Sequence, residues 1–325
     1  MILVTGGAGY IGSHYVLQER AHHRDVLVLD DLSRGHREAV LDAPLVTARL
    51  DDREALDELF TAHRIEAVVH FAAFTYVGES VAEPARYYRN NVAGTLTLLE
   101  AMRDRGVRVL IFSSSCATYG QPEYVPLDER HPQRPINPYG ETKLAVERMI
   151  EAFGNAYGLR YALLRYFNAA GADAEGRIGE VHEPETHLIP LILQVAAGRR
   201  ESLQLFGADY PTPDGTCIRD YVHVEDLAAA HSLALERLMS GEPKGIYNLG
   251  TETGHSVREV IDTVARITGR QVRVEQTARR PGDPARLVAS AALARSQLGW
   301  KPQHDLGDSV SSAWRWEQGQ RYGRR

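Results

Sequence analysis

Lysine is almost missing from this chain. Its 325 residues include three lysines, Lys143, Lys244 and Lys301, against 34 arginines. Arginine serves nearly everywhere a cation is wanted, so a position that keeps lysine invites a role that a planar guanidinium fills poorly. Cysteine is scarcer still. Cys116 and Cys217 stand far apart in no paired motif, which argues against both a disulfide framework and a zinc ribbon. No metal site is expected. No apolar run approaches the roughly 20 residues that span a bilayer, so no membrane partner is expected. Excess positive charge is absent too. A net charge of −6 and a pI near 6.1 argue against a nucleic-acid partner, which would need a basic face. The N-terminus, MILVTGGAGY, lacks the basic start and apolar core of a signal peptide, and a cytoplasmic location is expected. What remains is ordinary: 43% hydrophobic and 25% charged residues, enough for a packed core without staples. At roughly 150 residues per domain, the length suggests about two domains.

The first half alternates short apolar runs with helical patterns. Ile2–Thr5, Val26–Asp30, Ala67–Phe71, Val107–Ser113 and Tyr161–Arg165 lack a period-two alternation and read as strands buried on both faces. A weaker strand is expected at Leu45–Ala48. Helices are expected near Ile11–Arg20, Arg53–His63, Pro84–Asp104 and Pro138–Ala156. This order predicts an α/β fold, a Rossmann-like doubly wound parallel sheet. After Asn168 the pattern changes. Gly171–Pro190 is rich in Gly, Glu, His and Pro and reads as a long functional loop or cover. Helices follow near Leu191–Gly198, Val224–Leu238, Ser256–Thr268 and Leu306–Glu317. Ser256 and Glu259 have capping-box spacing. Gly245–Leu249 reads as a strand returning to the first sheet. The expected division is therefore interleaved. Residues 1–168 plus about 224–250 form one domain, and about 169–223 plus 251–325 form a smaller α/β domain.

The first strand runs into Thr5-Gly6-Gly7-Ala8-Gly9-Tyr10-Ile11-Gly12. Gly6, Gly9 and Gly12 open a helix, whose N-terminal amides and dipole suit a pyrophosphate. A glycine turn that binds nothing is the plainer alternative, but its place between strand and helix favours a dinucleotide. The second strand ends at Asp30. An acid there accepts from the adenosine ribose and repels a 2′-phosphate, so NAD is favoured over NADP.

Tyr139 and Lys143 lie four apart at a helix start, after Asn137-Pro138, and so share one face. A free tyrosine titrates near 10, and a neighbouring ammonium favours its phenolate. Ser115 ends the run Ser113-Ser114-Ser115 after a buried strand, where open α/β sheets bind ligands. It can hydrogen-bond a substrate hydroxyl. Cys116 has no histidine partner and reads as packing.

Together these features resemble the extended short-chain dehydrogenase/reductase family, and within it the nucleotide-sugar 4-epimerases that act on UDP-glucose. The similarity covers nearly the whole chain. It includes TGGAGYIGSH, YYRNNVAGT, FSSSCATYG, NPYGETK, LLRYFNAAGA, LFGADYPTPDGTCIRDYVHV and RRPGD. The resemblance implies a catalytic trio of Ser115, Tyr139 and Lys143. It implies NAD contacts at Gly6, Gly9, Tyr10, Ile11, Gly12, Asp30, Phe71, Ala72, Ala73, Asn90, Tyr139, Lys143 and Tyr166. It places Ser115, Tyr139, Asn168, Leu188, Phe206, Arg219, Arg280, Asp283 and Leu287 around a UDP-sugar substrate. It further implies interconversion of UDP-glucose and UDP-galactose through a transient 4-keto sugar. A homodimer is implied too, through helices near Pro84–Asp104 and Pro138–Ala156.

Three positions depart from the family pattern. Arg49 replaces an acid near the adenine amino group, Thr75 replaces a lysine near the cofactor phosphates, and Leu287 replaces a residue beside the sugar C2 substituent. A nucleotide-sugar 4,6-dehydratase would carry an Asp-Glu pair after the active-site serine or threonine, where this chain has Cys116-Ala117. A 4-epimerase of another UDP sugar (N-acetylhexosamine, pentose or uronic acid) and a non-catalytic NAD-sensing protein stay open as alternatives.

Overall fold

The computed structural model describes residues 1–280, 282–319 and 321–323. Pro281 of the RRPGD motif, and Gln320, Arg324 and Arg325 at the end of the second expected domain, lie outside them.

The chain begins β1 (Ile2–Thr5), α1 (Tyr10–Ala21), β2 (Val26–Asp30), β3 (Leu45–Thr47), α2 (Arg53–Ala62) and β4 (Ala67–His70). Next come the short α3 (Val77–Ala82) and α4 (Pro84–Tyr87), then α5 (Gly94–Asp104), β5 (Val109–Ser115), α6 (Pro138–Tyr157) and β6 (Arg160–Tyr166). The second part holds β7 (Asn168–Ala170), α7 (Leu188–Ala196), β8 (Leu203–Phe206), β9 (Ile218–His223), α8 (Val224–Met239) and β10 (Lys244–Leu249). It closes with β11 (Gly254–Ser256), α9 (Val257–Thr268), β12 (Val274–Thr277), β13 (Arg286–Leu287), α10 (Ala292–Leu298) and α11 (Leu306–Gly319).

Seven strands form one parallel sheet in the order β10-β6-β5-β4-β1-β2-β3. The strands of β1, β2 and β4 are buried throughout, which is why each reads as a continuous apolar run. One face packs Val4, Val28, Val69 and Ile111 against α1 and α8; the other packs Leu3, Leu27, Val68 and Leu110 against α2, α5 and α6. The order reverses between β1 and β4, and a crevice opens beyond the strand C-termini at such a switch point.

Local chemistry sets the helix ends. Asn137 caps α6 by accepting from the Gly140 amide at 2.9 Å, Pro138 occupies the first turn, and Gly158 ends the helix with φ +69°. The expected capping box of Ser256 and Glu259 is formed at α9. The single helix expected over Pro84–Asp104 is instead α4, a π-helical turn at Tyr88–Ala93, and α5. Such a turn is set by wider hydrogen bonding that leaves no mark on apolar periodicity.

The smaller unit gathers β7, β9, β11 and β13 in one sheet, with β8 and β12 paired separately. Ile192, Val260, Val264 and Val310 of α7, α9 and α11 form its core. The segment 291–300, expected with this unit, sends Ala291, Ala294, Leu298 and Trp300 into the core of the first sheet. Those apolar positions meet α8 and β10 rather than α9.

Candidate functional site

The residues singled out in the first half collect at the C-terminal edge of the parallel sheet. Gly6 follows β1 with φ +72°, a conformation glycine adopts without strain. A Cβ there would stand 2.5 Å from the Ala72 nitrogen. A Cβ on Gly12 would stand 2.2 Å from the Gly6 carbonyl oxygen, so the third glycine lets α1 pack against its own loop. Gly9 faces open space apart from that same oxygen, at 3.3 Å. Helix α1 has no side-chain cap and no acid in its first turn. Its first amides therefore remain for an anion. The Tyr10 hydroxyl turns away and donates to the Gly171 carbonyl at 2.6 Å, so Tyr10 offers the site its backbone.

Asp30 ends β2 and is buried. Its carboxylate accepts from the Ala8 amide at 3.0 Å and the Leu32 amide at 2.9 Å. Burial raises its pKa, and these two amides oppose the rise. Unused lone pairs remain on both oxygens for ribose hydroxyls. An uncapped helix start, a glycine with a clear outer face and this acid fit a dinucleotide. Arg49 is exposed and holds Asp51 at 2.8 Å, with Asp31 at 3.9 Å. Thr75 is exposed.

Phe71, Ala72 and Ala73 follow β4, with the Phe71 and Ala72 amides donating to the Thr5 carbonyl. The Phe71 ring lies 4.6 Å from the buried His231 ring. Asn90 is half-buried and donates to the Asn91 side chain at 3.0 Å. Sequence reasoning missed Asn91, which is buried. It accepts from the Phe74 amide and donates to the Phe74 carbonyl and to Thr142. It thereby fastens the loop after β4 to α6.

Ser115 is the last residue of β5 and lies beside Tyr166 in register. Tyr139 and Lys143 rise from the first turns of α6, both buried. The Ser115 hydroxyl accepts from the Ala117 amide at 3.1 Å and stands near enough to the Tyr139 phenol to oppose its upward shift. The Lys143 ammonium donates to the Ser113 carbonyl at 2.7 Å and lies 4.8 Å from the Phe112 ring centroid. The three residues do converge. The expected lowering of the phenol by the lysine is not found in the protein alone. Burial pushes Tyr139 up to about 12, with Ser115 acting against it. Burial also brings Lys143 down to about 7, opposed by Glu147. The Ser113 hydroxyl pairs with His231 Nε2 at 2.7 Å. Nothing in the spacing of residues 118 apart announces that support.

Cys116 is a half-buried free thiol that desolvation pushes up to about 12, which suits packing rather than attack. Half-buried Leu287 packs against Tyr119, Phe167 and Ala289, the same cluster that Cys116 meets. Leu287 lies opposite Arg219 across β13 and β9. Arg219 donates to the carbonyls of Ile218 and Pro284 at 2.9 Å and approaches Asp283 at 3.5 Å. Asn168 donates to the Asp220 carbonyl at 3.1 Å. Leu188 opens α7, and exposed Arg280 lies over the Phe206 ring at 4.1 Å. Among the described residues, no helix is long and apolar enough to cross a membrane.

The NAD dependent epimerase/dehydratase family matches residues 2–250. The UDP-glucose 4-epimerase of Halalkalibacterium halodurans is 52% identical over 97% of this chain and 95% of its own. The crystal structure of UDP-glucose 4-epimerase from Brucella ovis in complex with NAD is 50% identical, covers 96% of this chain and 97% of its own, and superposes with a TM-score of 0.94. A UDP-glucose-4-epimerase structure from Stenotrophomonas maltophila, with bound NAD and formylated UDP-arabinopyranose, is 42% identical with a TM-score of 0.95 and 98% coverage of both chains. With the family matched over most of its length and close relatives over nearly all of it, the chain belongs to the NAD-dependent epimerase/dehydratase family.

Proposed function

We propose that this protein is an NAD-dependent isomerase that interconverts UDP-glucose and UDP-galactose by inverting C4 of the sugar. One observation carries the reading at the level of chemistry: Ser115, Tyr139 and Lys143 converge in one buried place beyond the sheet's switch point. A bound NAD would supply the hydride acceptor and donor needed at C4.

The chain's own residues do the rest. Tyr139 moves the proton of the sugar 4-hydroxyl, and Ser115, beside the phenol, holds that hydroxyl in line. Lys143, anchored through Ser113, holds an amine near its titration point in the same buried place and can donate to a ribose hydroxyl. Gly6, Gly9, Gly12, Asp30, Phe71, Ala72, Ala73, Asn90 and Tyr166, with the backbone of Tyr10 and Ile11, would hold the cofactor. Arg219, Arg280 and Asp283, with Asn168, Leu188 and Phe206, would hold UDP. A guanidinium suits diphosphate oxygens because it offers paired donors. Firm anchoring of UDP leaves the sugar free to present either face to one site. In this reading residues 1–168 plus 224–250, with 291–300 packed into their core, form the cofactor unit, and the rest of the chain serves the UDP sugar.

Assembly and location belong to the same proposal. A cytoplasmic homodimer would bury the helical surface near Pro84–Asp104 and Pro138–Ala156, where Tyr88 and Leu96 are exposed apolar side chains. Sedimentation of the purified protein tests the assembly. A second reading, epimerisation of another UDP sugar, is favoured by Leu287 beside Cys116 and by the pentose nucleotide in the Stenotrophomonas structure. The deciding experiment incubates purified protein, with no added cofactor, with separate UDP sugars and resolves the products. UDP-galactose from UDP-glucose is expected. Turnover confined to another sugar would favour the second reading, and no turnover even with NAD supplied would reject both.

A further inference from the structure

The segment between β7 and α7 was expected to be a cover, with no metal site anywhere. Folding brings four metal-ligating side chains in it to one point. Glu180, His182, Glu185 and His187 each offer one ligand atom, and all four atoms lie within 4.8 Å of one another. His187 Nδ1 is 2.9 Å from an oxygen of Glu180 and 2.9 Å from one of Glu185. His182 Nδ1 is 3.1 Å from Glu180 and 3.8 Å from Glu185. The imidazole centroids are 4.8 Å apart. A tetrahedral ion with donors at about 2.0–2.2 Å sets neighbouring donors roughly 3.3–3.6 Å apart. The four observed gaps bracket that spacing.

Three further observations favour an ion over ion pairing alone. His182 Nδ1 is buried and, despite the nearby carboxylates, makes no hydrogen bond. The ligand-bearing backbone is already fastened. The Glu185 carboxylate accepts from the Thr186 and His187 amides, Trp316 donates to the Glu180 carbonyl, and Arg34 donates to the Glu183 carbonyl. There is also an entry path: the side chains of Glu180 and Glu185 are largely buried, while His187 is 44% exposed. Two neutral imidazoles and two carboxylates balance one dication, and this donor set suits borderline ions such as zinc.

We propose that Glu180, His182, Glu185 and His187 form a divalent transition-metal site of the zinc class that pins this segment against the start of α1. The link to α1 is direct, because the His182 ring meets Tyr10 edge-on at 6.4 Å and Tyr76 at 5.9 Å. The cluster adjoins Leu188 and Tyr10, and its test reads bound metal rather than turnover, so it does not depend on the identity of the sugar.

Untagged protein, stripped with a chelator and dialysed, is loaded separately with Zn²⁺ and Co²⁺. Metal analysis should find one ion per chain, and the Co²⁺ form should show the visible absorption of a tetrahedral centre. Zn²⁺ should raise the thermal midpoint. Glu185→Gln keeps the side chain's size, and it should weaken binding at least about tenfold, since even outer-shell substitutions cost roughly 10–100-fold. His182→Ala should abolish the Co²⁺ absorption. His304→Ala, in the separate His223–Glu225–His304 cluster, should leave binding unchanged. Circular dichroism of the metal-free variants checks that they fold. Substoichiometric metal in the wild-type protein, or equal binding by a folded Glu185→Gln/His187→Gln variant, would overturn the proposal and leave an ion-pair cluster only.

Discussion

The Lys143 ammonium donates a 2.7 Å hydrogen bond to the backbone carbonyl of Ser113. That bond ties the second turn of α6 to the end of β5, two residues before Ser115. It gives the amine of Lys143, a residue only 2% exposed, a partner in place of water. Burial brings the amine down to about 7, so the lysine is held close to its titration point rather than as a fixed charge. A guanidinium stays charged there and presents a wider, planar head.

Lys143→Arg should therefore fail to restore function although it keeps positive charge. The compact head fits between Ser113 and the Phe112 ring. Turnover of the variant, measured across pH with bound cofactor quantified, should fall and lose the wild-type profile. Wild-type rate and profile in Lys143→Arg would remove the special role given to this lysine.

Tyr139→Phe removes only the hydroxyl that Ser115 meets. It should retain NAD and UDP-sugar binding and lose turnover by roughly 10²–10⁴-fold, the usual share of a general acid–base. Binding measured by calorimetry beside product analysis separates the two effects. Unchanged epimerisation would reject the proton-transfer assignment.

Asp30 should make the protein select NAD. Its carboxylate is buried and already fixed by the Ala8 and Leu32 amides, so it cannot swing away from a 2′-phosphate. Mass spectrometry of the cofactor released on denaturation should find NAD. A preparation carrying mainly NADP would contradict this account.

Leu287 should grade the accepted sugars. It packs against the same Tyr119–Phe167–Ala289 cluster as Cys116, the residue after Ser115, so its size bears on room near the sugar ring. Apolar size differences discriminate by only about 1–3 kcal/mol. Activity on UDP-glucose and UDP-galactose should accompany a weaker activity on their N-acetylated counterparts, and Leu287→Tyr should depress the second selectively. Equal losses on both pairs would show that Leu287 is no such wall.

Acid should destabilise the fold through buried histidines. Burial holds His14 and His231 down to about 4, and His70 and His223 down to about 3. Below about 6.5 the unfolded chain takes up protons that these folded imidazoles refuse, so stability falls as pH falls. Each contributes a slope of up to about 1.4 kcal/mol per pH unit. In the metal-free protein His187, raised to about 10, acts elsewhere: its contribution is whole below about 6.5 and is lost as pH rises toward 10. Urea unfolding from about pH 7.5 to about 5.5 should show the decline, and a flat profile would contradict it.

The sequence by itself determined the parallel sheet and the places where its ligand loops open. Strands buried on both faces must be apolar throughout, and caps such as Asn137 and Ser256 act within a few residues, so these features are written locally. Gly6, Asp30, Tyr139 and Lys143 were legible for the same reason, since each sits at a fixed offset from a strand end or helix start. Strands β7, β9, β11 and β13 were not, because short segments gain their extended form from partners distant in the chain. The π-helical turn, the Asn91 clamp and the Ser113 carbonyl that receives Lys143 were equally hidden. Tertiary structure also decided that Glu180, His182, Glu185 and His187 share one point, because their loop has no period from which a common face could be read. Hydrogen bonds and charges act over a few ångströms, and only the folded chain sets which groups stand that close.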